Sequence, residues 1–126
     1  DAASQSSQSL TTGDTPVGSY YKKTFTLTNS GNAFVYPVVT VTAGAANITR
    51  VIVRNLTDNR TFQYDGVILA GQSLVVDIGN LSVKNNGVED LTNWNGLFIQ
   101  LLRAGNSMEI EGDPGTYLFQ WVARHF

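Results

Sequence analysis

The chain has 126 residues, of which 42 % are hydrophobic and 14 % are charged, and its formal net charge at pH 7 is -2. This length favours a single domain, and the composition is too apolar for a disordered segment. The slightly acidic charge, the absence of cysteine and the single histidine, His125, argue against a basic nucleic-acid surface, a disulfide framework and a histidine-rich metal site.

The N-terminal segment has the composition of a linker. Residues Asp1–Gly18 are rich in Ser, Gln, Thr and Gly, which gain little from ordering. We predict a flexible linker or tail over residues 1–19 and a single β-sandwich domain over residues 20–126. Because the chain starts with Asp rather than Met, we also expect a fragment that lacks a preceding domain. No apolar run has the length of a membrane span, so no membrane partner is predicted.

From Tyr20 onward the sequence consists of short β-rich runs separated by Gly and Asn, without helical periodicity. The predicted strands, in chain order, are Tyr20–Thr28, Phe34–Thr42, Ile48–Asn55, Arg60–Tyr64, Ser73–Ile78, Leu81–Lys84, Leu97–Leu102, Asn106–Glu111 and Gly115–Arg124. Residues 88–96 are predicted to form a loop or a 3₁₀ turn. The regular turn spacing and the absence of βαβ alternation predict an all-β fold, an antiparallel β-sandwich or jelly roll.

Some predicted strands carry features that indicate their place in a sheet. Pro37 removes a ladder donor, which indicates a sheet edge or a bulge. The Leu97–Leu102 segment is apolar on nearly both faces, which predicts a central strand. Arg50 and Arg54 share a face with Ile52, and we expect them to form a small basic edge that discourages pairing with another sheet.

Several segments, taken together, resemble the C-terminal domain of the siphovirus distal tail protein family, a phage tail component. The resemblance covers residues 25–126 and depends on the order and spacing of the segments. These segments are Thr28-Asn29-Ser30-Gly31, Tyr36-Pro37-Val38-Val39, Val53-Arg54-Asn55-Leu56-Thr57, Ala70-Gly71-Gln72-Ser73-Leu74-Val75-Val76-Asp77, Val83-Lys84-Asn85-Asn86-Gly87 and the stretch from Phe98 to Ile110.

The resemblance implies a galectin-like β-sandwich at the tail tip or baseplate of a bacteriophage virion. In that family an N-terminal domain builds a hexameric ring, and the C-terminal domain faces outward toward receptor-binding or neighbouring baseplate proteins. The ring-forming half has no counterpart in this chain, so a homo-oligomer would form through the missing N-terminal domain.

Two groups of aromatic and amide side chains are candidate ligand-binding residues. Trp94 lies between Asn93 and Asn95, a loop composition that suits recognition, although an aromatic ring that anchors the loop to the core is the simpler interpretation. Tyr117 and Trp121 lie on one face of the last predicted strand. They could stack on a sugar ring or a partner's side chain, but core packing explains them more simply.

Three carboxylates, Glu109, Glu111 and Asp113, are weak candidates for a metal site, because a continuous strand would place them on one face. Asp113 and Pro114 indicate a turn that breaks this face, so we predict solvent-exposed carboxylates and no metal. Asp65, Asp77, Glu89 and Asp90 could supply a glycosidase pair, but no pairing is singled out. We therefore predict no catalytic residue, no cofactor and no enzymatic activity.

The predicted function is structural. The chain would be an adaptor of a phage tail tip or baseplate that docks other tail proteins by protein–protein interaction. The alternative is a carbohydrate-binding module for host recognition, which would bind a cell-surface polysaccharide through Trp94 and an aromatic face. Neither hypothesis involves nucleic acid.

Overall fold

The computed structural model of the chain describes residues 2–11, 21–80, 82–97 and 99–125. Short 3₁₀ segments at Ile78–Asn80 and Leu91–Asn93 accompany the strands. The strands are β1 (Ala2–Thr11), β2 (Tyr21–Asn29), β3 (Val38–Ala43), β4 (Val51–Asn55), β5 (Arg60–Tyr64), β6 (Ser73–Asp77), β7 (Ser82–Asn85), β8 (Val88–Glu89), β9 (Trp94–Gly96), β10 (Ala104–Gly112) and β11 (Gly115–His125).

The strands form two antiparallel sheets. The six-stranded sheet has the order β1-β11-β3-β6-β7-β8, and the five-stranded sheet has the order β2-β10-β4-β5-β9. All described strand pairs are antiparallel, from β1 with β11 to β7 with β8. The predicted all-β antiparallel sandwich is therefore confirmed.

The inward faces of both sheets share one hydrophobic core. Alternation within the strands directs every second side chain inward, as in β3, where Val39, Val41 and Ala43 are buried. The largest fully buried side chains come from both sheets and from the connections between them: Leu27, Ile48, Phe62, Tyr64, Ile68, Leu74, Ile99, Leu101, Met108, Ile110, Tyr117 and Phe119. Such a core stabilises the sandwich without disulfides.

Pro37 stands immediately before β3, which lies inside its sheet between β11 and β6, so the prediction that Pro37 marks an edge strand is wrong. The predicted strand Phe34–Thr42 is observed as β3, which begins only at Val38, opposite Gln120 of β11. A proline cannot donate to the ladder, so pairing stops there. Before Pro37, Val35 pairs with a different segment and forms an isolated bridge with Leu101.

The prediction of a central strand at Leu97–Leu102 is wrong. This segment contains no strand among its described residues. Its backbone makes an isolated bridge from Leu101 to Val35 and a hydrogen bond from the Leu97 N–H to the Thr61 carbonyl (2.9 Å). Ile99 and Leu101 are nevertheless fully buried. The apolar character of this segment on nearly both faces therefore reflects an irregular connection with buried side chains. Phe98 lies outside the described residues.

The N-terminal residues differ from the predicted linker. β1 pairs with β11 along its whole length, from Ala2 opposite His125 to Thr11 opposite Thr116. This pairing satisfies backbone N–H and C=O groups, so a composition rich in Ser and Gln is compatible with an edge strand. Residues 1 and 12–19, the remainder of the predicted linker, lie outside the described residues.

Two buried asparagines hold the irregular segment that follows β9. Asn55 and Asn106 are both 0 % exposed, and the Asn55 amide donates to the Gln100 carbonyl (2.7 Å) and to Asn106 Oδ1 (3.2 Å). Asn106 Oδ1 accepts from the Leu102 N–H, and Asn106 Nδ2 donates to the Leu102 carbonyl, both at 2.9 Å. Side-chain amides thus replace a neighbouring strand as partners of this backbone.

A third buried asparagine, Asn29, connects this segment to the turn after β2. Its Nδ2 donates to the Leu101 carbonyl (3.2 Å) and to the Ala33 carbonyl (2.8 Å). The Leu101 carbonyl also accepts from the Val35 N–H (3.0 Å). The three asparagines therefore fix the relative positions of residues 29–35 and 100–106.

No helical segment among the described residues has the length and hydropathy needed to cross a membrane.

We expect Asn106→Leu to lower the free energy of unfolding by about 3 kcal/mol or more, because it removes the fully buried amide that pairs with the Leu102 N–H and with the Leu102 and Ala104 carbonyls. Urea unfolding of the variant and the wild type measures this difference. The matched control is Thr28→Leu, since Thr28 is exposed on β2 opposite Gly105, and its expected effect is within about 0.5 kcal/mol. Equal stabilities of the two variants would contradict the assigned role of Asn106.

Candidate binding surfaces

The structure places Trp94 at the boundary of the core. Trp94 is half-buried at the start of edge strand β9 and packs against the core, with its ring centroid 6.3 Å from that of Phe62. Asn93 Nδ2 donates to both Asp90 carboxylate oxygens at 2.9 Å, and Asn95 Nδ2 donates to Asp65 Oδ2. These contacts favour the anchoring interpretation of Trp94 over a ring presented to a ligand.

The aromatic residues of β11 belong to the core. Tyr117 is 1 % exposed, Phe119 is 0 % exposed and Trp121 is 6 % exposed, so these rings do not form an open stacking platform. The Tyr117 hydroxyl donates to the Asp113 carbonyl at 3.0 Å. Burial, together with the nearby Asp113 charge, raises the pKa of Tyr117. Core packing, the simpler interpretation of the sequence, describes the observed positions of these residues.

Arginine side chains surround two of the three candidate metal-ligand carboxylates. On the outer face of the five-stranded sheet, Arg50 Nη2 lies 2.6 Å from Glu111 Oε2. Arg54 Nη1 lies 2.8 Å from Glu109 Oε1 and 3.1 Å from Glu111 Oε1. Across the described residues, no three His, Asp or Glu side chains are grouped in a way that could hold a metal ion.

Asp113, the third carboxylate, lies in the turn between β10 and β11. Its Oδ2 accepts hydrogen bonds from the backbone N–H and hydroxyl of Thr49 and from the Arg50 N–H, at 2.6, 3.0 and 3.2 Å. Asp113 therefore fixes the approach to β4.

The prediction that Arg50 and Arg54 form a basic edge is wrong. β4 lies inside its sheet, between β10 and β5, so its neighbours are strands on both sides. The arginines face the glutamates of β10 across the β4–β10 pair, and Ile52 between them is only 4 % exposed. Their role in the structure is to neutralise these carboxylates and to cover an apolar side chain.

An exposed group of aliphatic side chains forms a first candidate surface. Val67, Leu69 and Val88 are 47 %, 50 % and 68 % exposed and border a hollow of about 400 Å³; we call these three residues the aliphatic patch. Amide and acidic side chains complete the hollow: Gln72, Asn85, Asn86, Glu89 and Asp90. An apolar centre with a polar rim is typical of a protein-binding surface.

A hydrogen-bond cluster beneath the aliphatic patch holds its backbone. Asn85 Nδ2 donates to the Val67 carbonyl (2.6 Å) and to the Tyr64 hydroxyl (3.0 Å), and this hydroxyl donates to Asp90 Oδ2. Burial and the hydrogen bond to Asp90 raise the pKa of Tyr64 to about 12, so the phenol remains a neutral donor. Hydrogen bonds from Asn93 and Tyr64 lower the pKa of Asp90. These hydrogen bonds hold the backbone at Val67 in a fixed position beside β7.

Exposed aromatic side chains form a second surface, where β3 begins. Phe34 is 54 % exposed and Tyr36 is 42 % exposed, and their rings contact edge to face, with centroids 5.7 Å apart. They border a hollow of about 430 Å³, which we call the aromatic groove. Among the described residues, its lining consists of Phe34, Val35, Tyr36, Val38, Gly79, Gln120, Trp121 and Val122. The sequence assigned Phe34 and Tyr36 to a strand, so their exposure was not predicted.

Comparison with known proteins gives a structural likeness and no sequence match. No family model matches the chain, and no curated protein matches it. Among solved structures, the chain is similar to the Dit protein (gp 19.1) of phage SPP1, which is described as a paradigm of the hub adsorption apparatus in phages that infect Gram-positive bacteria. The TM-score is 0.70 at 14 % sequence identity, and the match covers 94 % of this chain and 47 % of the SPP1 protein.

This likeness defines the fold class, a β-sandwich shared with part of a phage tail hub protein, and at this identity it shows the fold alone. The chain spans about half the length of the SPP1 protein that it matches.

Glu111 supplies a pH-dependent contribution to stability. Hydrogen bonds from Arg50, and secondarily from Arg54, lower the pKa of Glu111 below its ordinary value of 4.5. Ionised Glu111 therefore stabilises the folded state above the unfolded-state pKa, and this contribution is lost as the pH falls from about 4.5 through the folded-state pKa.

We expect Glu111→Gln to be less stable than the wild type by about 1 kcal/mol at neutral pH, with the difference shrinking below about pH 4.5. Denaturant unfolding at a series of pH values measures it. Thr26→Gln, on the exposed part of neighbouring β2, is the control and should show a difference that does not change with pH. A Glu111→Gln difference that stays constant down to about pH 3 would contradict the assignment.

Proposed function

We propose that the chain is a structural module of a bacteriophage tail and docks neighbouring tail proteins. The observation that carries this proposal is the similarity of 94 % of the chain to part of the SPP1 Dit protein, at a TM-score of 0.70. The resemblance of residues 25–126 to the distal tail protein family supports the same assignment. The finer placement at the tail tip or baseplate follows from this resemblance and is part of the proposal.

The proposed mechanism is binding and includes no reaction. Docking requires an apolar surface that is rigid before the partner arrives, because a pre-organised surface loses less entropy on binding. The aliphatic patch meets this requirement, since Val67 is tied to β7 through Asn85 and Val88 lies on the short edge strand β8. Glu89 and Asp90, which line the same hollow, give its rim an acidic character. We therefore propose that the patch contacts a neighbouring tail protein.

Localisation tests the proposal. Particles of the phage that encodes the chain should contain its peptides at a constant ratio to the major tail protein, measured by quantitative mass spectrometry. Antibodies against the chain should label the tails in electron micrographs. Recovery of the protein only outside purified particles would refute the tail assignment.

We expect Val88→Asp to reduce assembly at least tenfold, because a carboxylate in the centre of a docked apolar surface is desolvated without a partner. The measurement is the titre of a phage that lacks its own copy of the gene and is complemented by the full-length variant. Leu56→Asp is the matched control: Leu56 is 44 % exposed but does not line the hollow, and its expected titre equals that of the wild type. Full complementation by Val88→Asp would exclude the aliphatic patch as the docking surface, without affecting the localisation test.

A further inference from the structure

We propose that the aromatic groove binds one neutral sugar ring of a glycan. The exposed rings of this site are not the aromatic residues that the sequence indicated as ligand-binding candidates. The rings of Tyr117 and Trp121 are buried in the core, and Trp94 anchors β9. The proposal concerns a surface that the tail-docking role does not use, and it can be tested on the isolated chain.

The groove exists because Pro37 diverts the chain from the six-stranded sheet. β11 continues from Gln120 to His125, whereas the β3 ladder stops at Val38. Phe34 and Tyr36, which precede Pro37, therefore stand beside the last residues of β11 instead of continuing β3. Gly79 also lines the groove, next to Tyr36: a Cβ on Gly79 would lie 3.8 Å from Tyr36 Cβ, so a larger side chain at this position would extend into the hollow.

The two exposed rings suit the apolar face of a pyranose. A sugar ring presents C–H groups on one face and hydroxyl groups around its rim, and the C–H face packs on the electron-rich face of an aromatic ring. The edge-to-face arrangement of Phe34 and Tyr36, with an interplanar angle of 83°, forms a corner instead of a flat wall. The hollow of about 430 Å³ falls within the range of small-ligand sites, roughly 300–1,000 Å³.

Polar groups that suit hydroxyls lie across the outer face of the sheet at the same end. Gln120, Val38 and Asp77 occupy one cross-strand row, since Val38 is opposite both Gln120 and Asp77. Asp77 Oδ2 accepts from Asn80 Nδ2 at 2.9 Å, and Asp77 Oδ1 lies 4.0 Å from the position of a Cβ on Gly79. Gln120 lines the groove, and Asp77 and Asn80 lie near its Gly79 side, so this end of the sheet offers both acceptors and donors to a polyol.

The charge of the groove and the buried indole of Trp121 indicate which class of ligand the groove favours. Among the residues whose side chains the structure describes, the groove lining contains no Lys or Arg, and Asp77 adds a negative charge nearby, so an anionic polymer is disfavoured against a neutral sugar. The indole N–H of Trp121, one of the lining residues, is buried without an acceptor among the described residues. A ligand oxygen that reached this N–H would supply the missing hydrogen bond.

The test is a titration of the ¹⁵N-labelled 126-residue chain with methyl glycosides of glucose, galactose and N-acetylglucosamine, monitored by two-dimensional NMR. A single ring of about a dozen heavy atoms on an open site is expected to bind with a Kd of roughly a millimolar. We expect saturable shifts of the Gly79, Gln120 and Val122 amides with at least one of the sugars.

Two groove variants and one control separate binding from folding. Gly79→Trp fills the groove without removing a side chain, and its Cβ would make only an ordinary contact, 3.8 Å from Tyr36 Cβ, so it should fold and lose the shifts. Phe34→Ala should weaken binding about tenfold or more. Leu97→Ala, at a side chain 57 % exposed outside the groove, should bind like the wild type.

Three results would overturn the proposal. They are the absence of saturable shifts with every sugar at about a hundred times the expected Kd, shifts located away from the groove, and binding that Gly79→Trp leaves unchanged in a folded variant. If the groove amides respond to a purified tail protein and to none of the sugars, the groove is a protein-docking surface and the sugar assignment is wrong. None of these results bears on whether the protein is present in the tail.

Discussion

The buried amides of Asn29, Asn55 and Asn106 are the constraint on which the rest of the sandwich depends. These side chains are at most 1 % exposed, and between them they bind the backbone of an irregular segment that crosses the core without a neighbouring strand. Each such amide combines two donors with an acceptor, so it can satisfy the backbone that a strand would otherwise pair. Because an unsatisfied backbone group in the core is costly, the segment has few alternative positions.

This constraint reaches the surface through a short chain of contacts. Asn29 binds the Leu101 carbonyl, and Leu101 forms the isolated bridge with Val35. The bridge fixes the residues on both sides of Val35, so Phe34 and Tyr36 remain exposed just before the start of β3. The aromatic groove is thus a consequence of how the core connection is satisfied. The aliphatic patch has a parallel origin, because Asn85 and the Tyr64 hydroxyl fix the loop that carries Val67.

The sequence predicted the features that depend on local alternation and turns. Phe25 and Leu27 fall on one face as their alternation with threonine requires, and β5 has the predicted bounds Arg60–Tyr64. Features that depend on contacts between residues distant in the sequence could not be predicted from the sequence. The Asn55 amide contacts Gln100, 45 residues away, and no local pattern indicates that this bond replaces a strand at Leu97–Leu102. Pro37 was predicted to mark a sheet edge or a bulge, whereas β3 lies inside its sheet, and the exposure of Phe34 and Tyr36 before it depends on the bridge from Val35 to Leu101. The same limit applies to the candidate ligand-binding residues of β11. The alternation of Tyr117 and Trp121 indicates that they share a face, but it does not indicate whether that face is buried.

A side-chain-resolution electron cryo-microscopy map of the tail of the encoding phage tests the tail-module proposal most directly. The account predicts a β-sandwich of this topology in the tail, with Val67 and Val88 in contact with a neighbouring protein and Phe34 and Tyr36 open to solvent. A complete tail without this sandwich would contradict the proposed function. A sandwich whose aliphatic patch faces solvent would contradict the proposed docking surface.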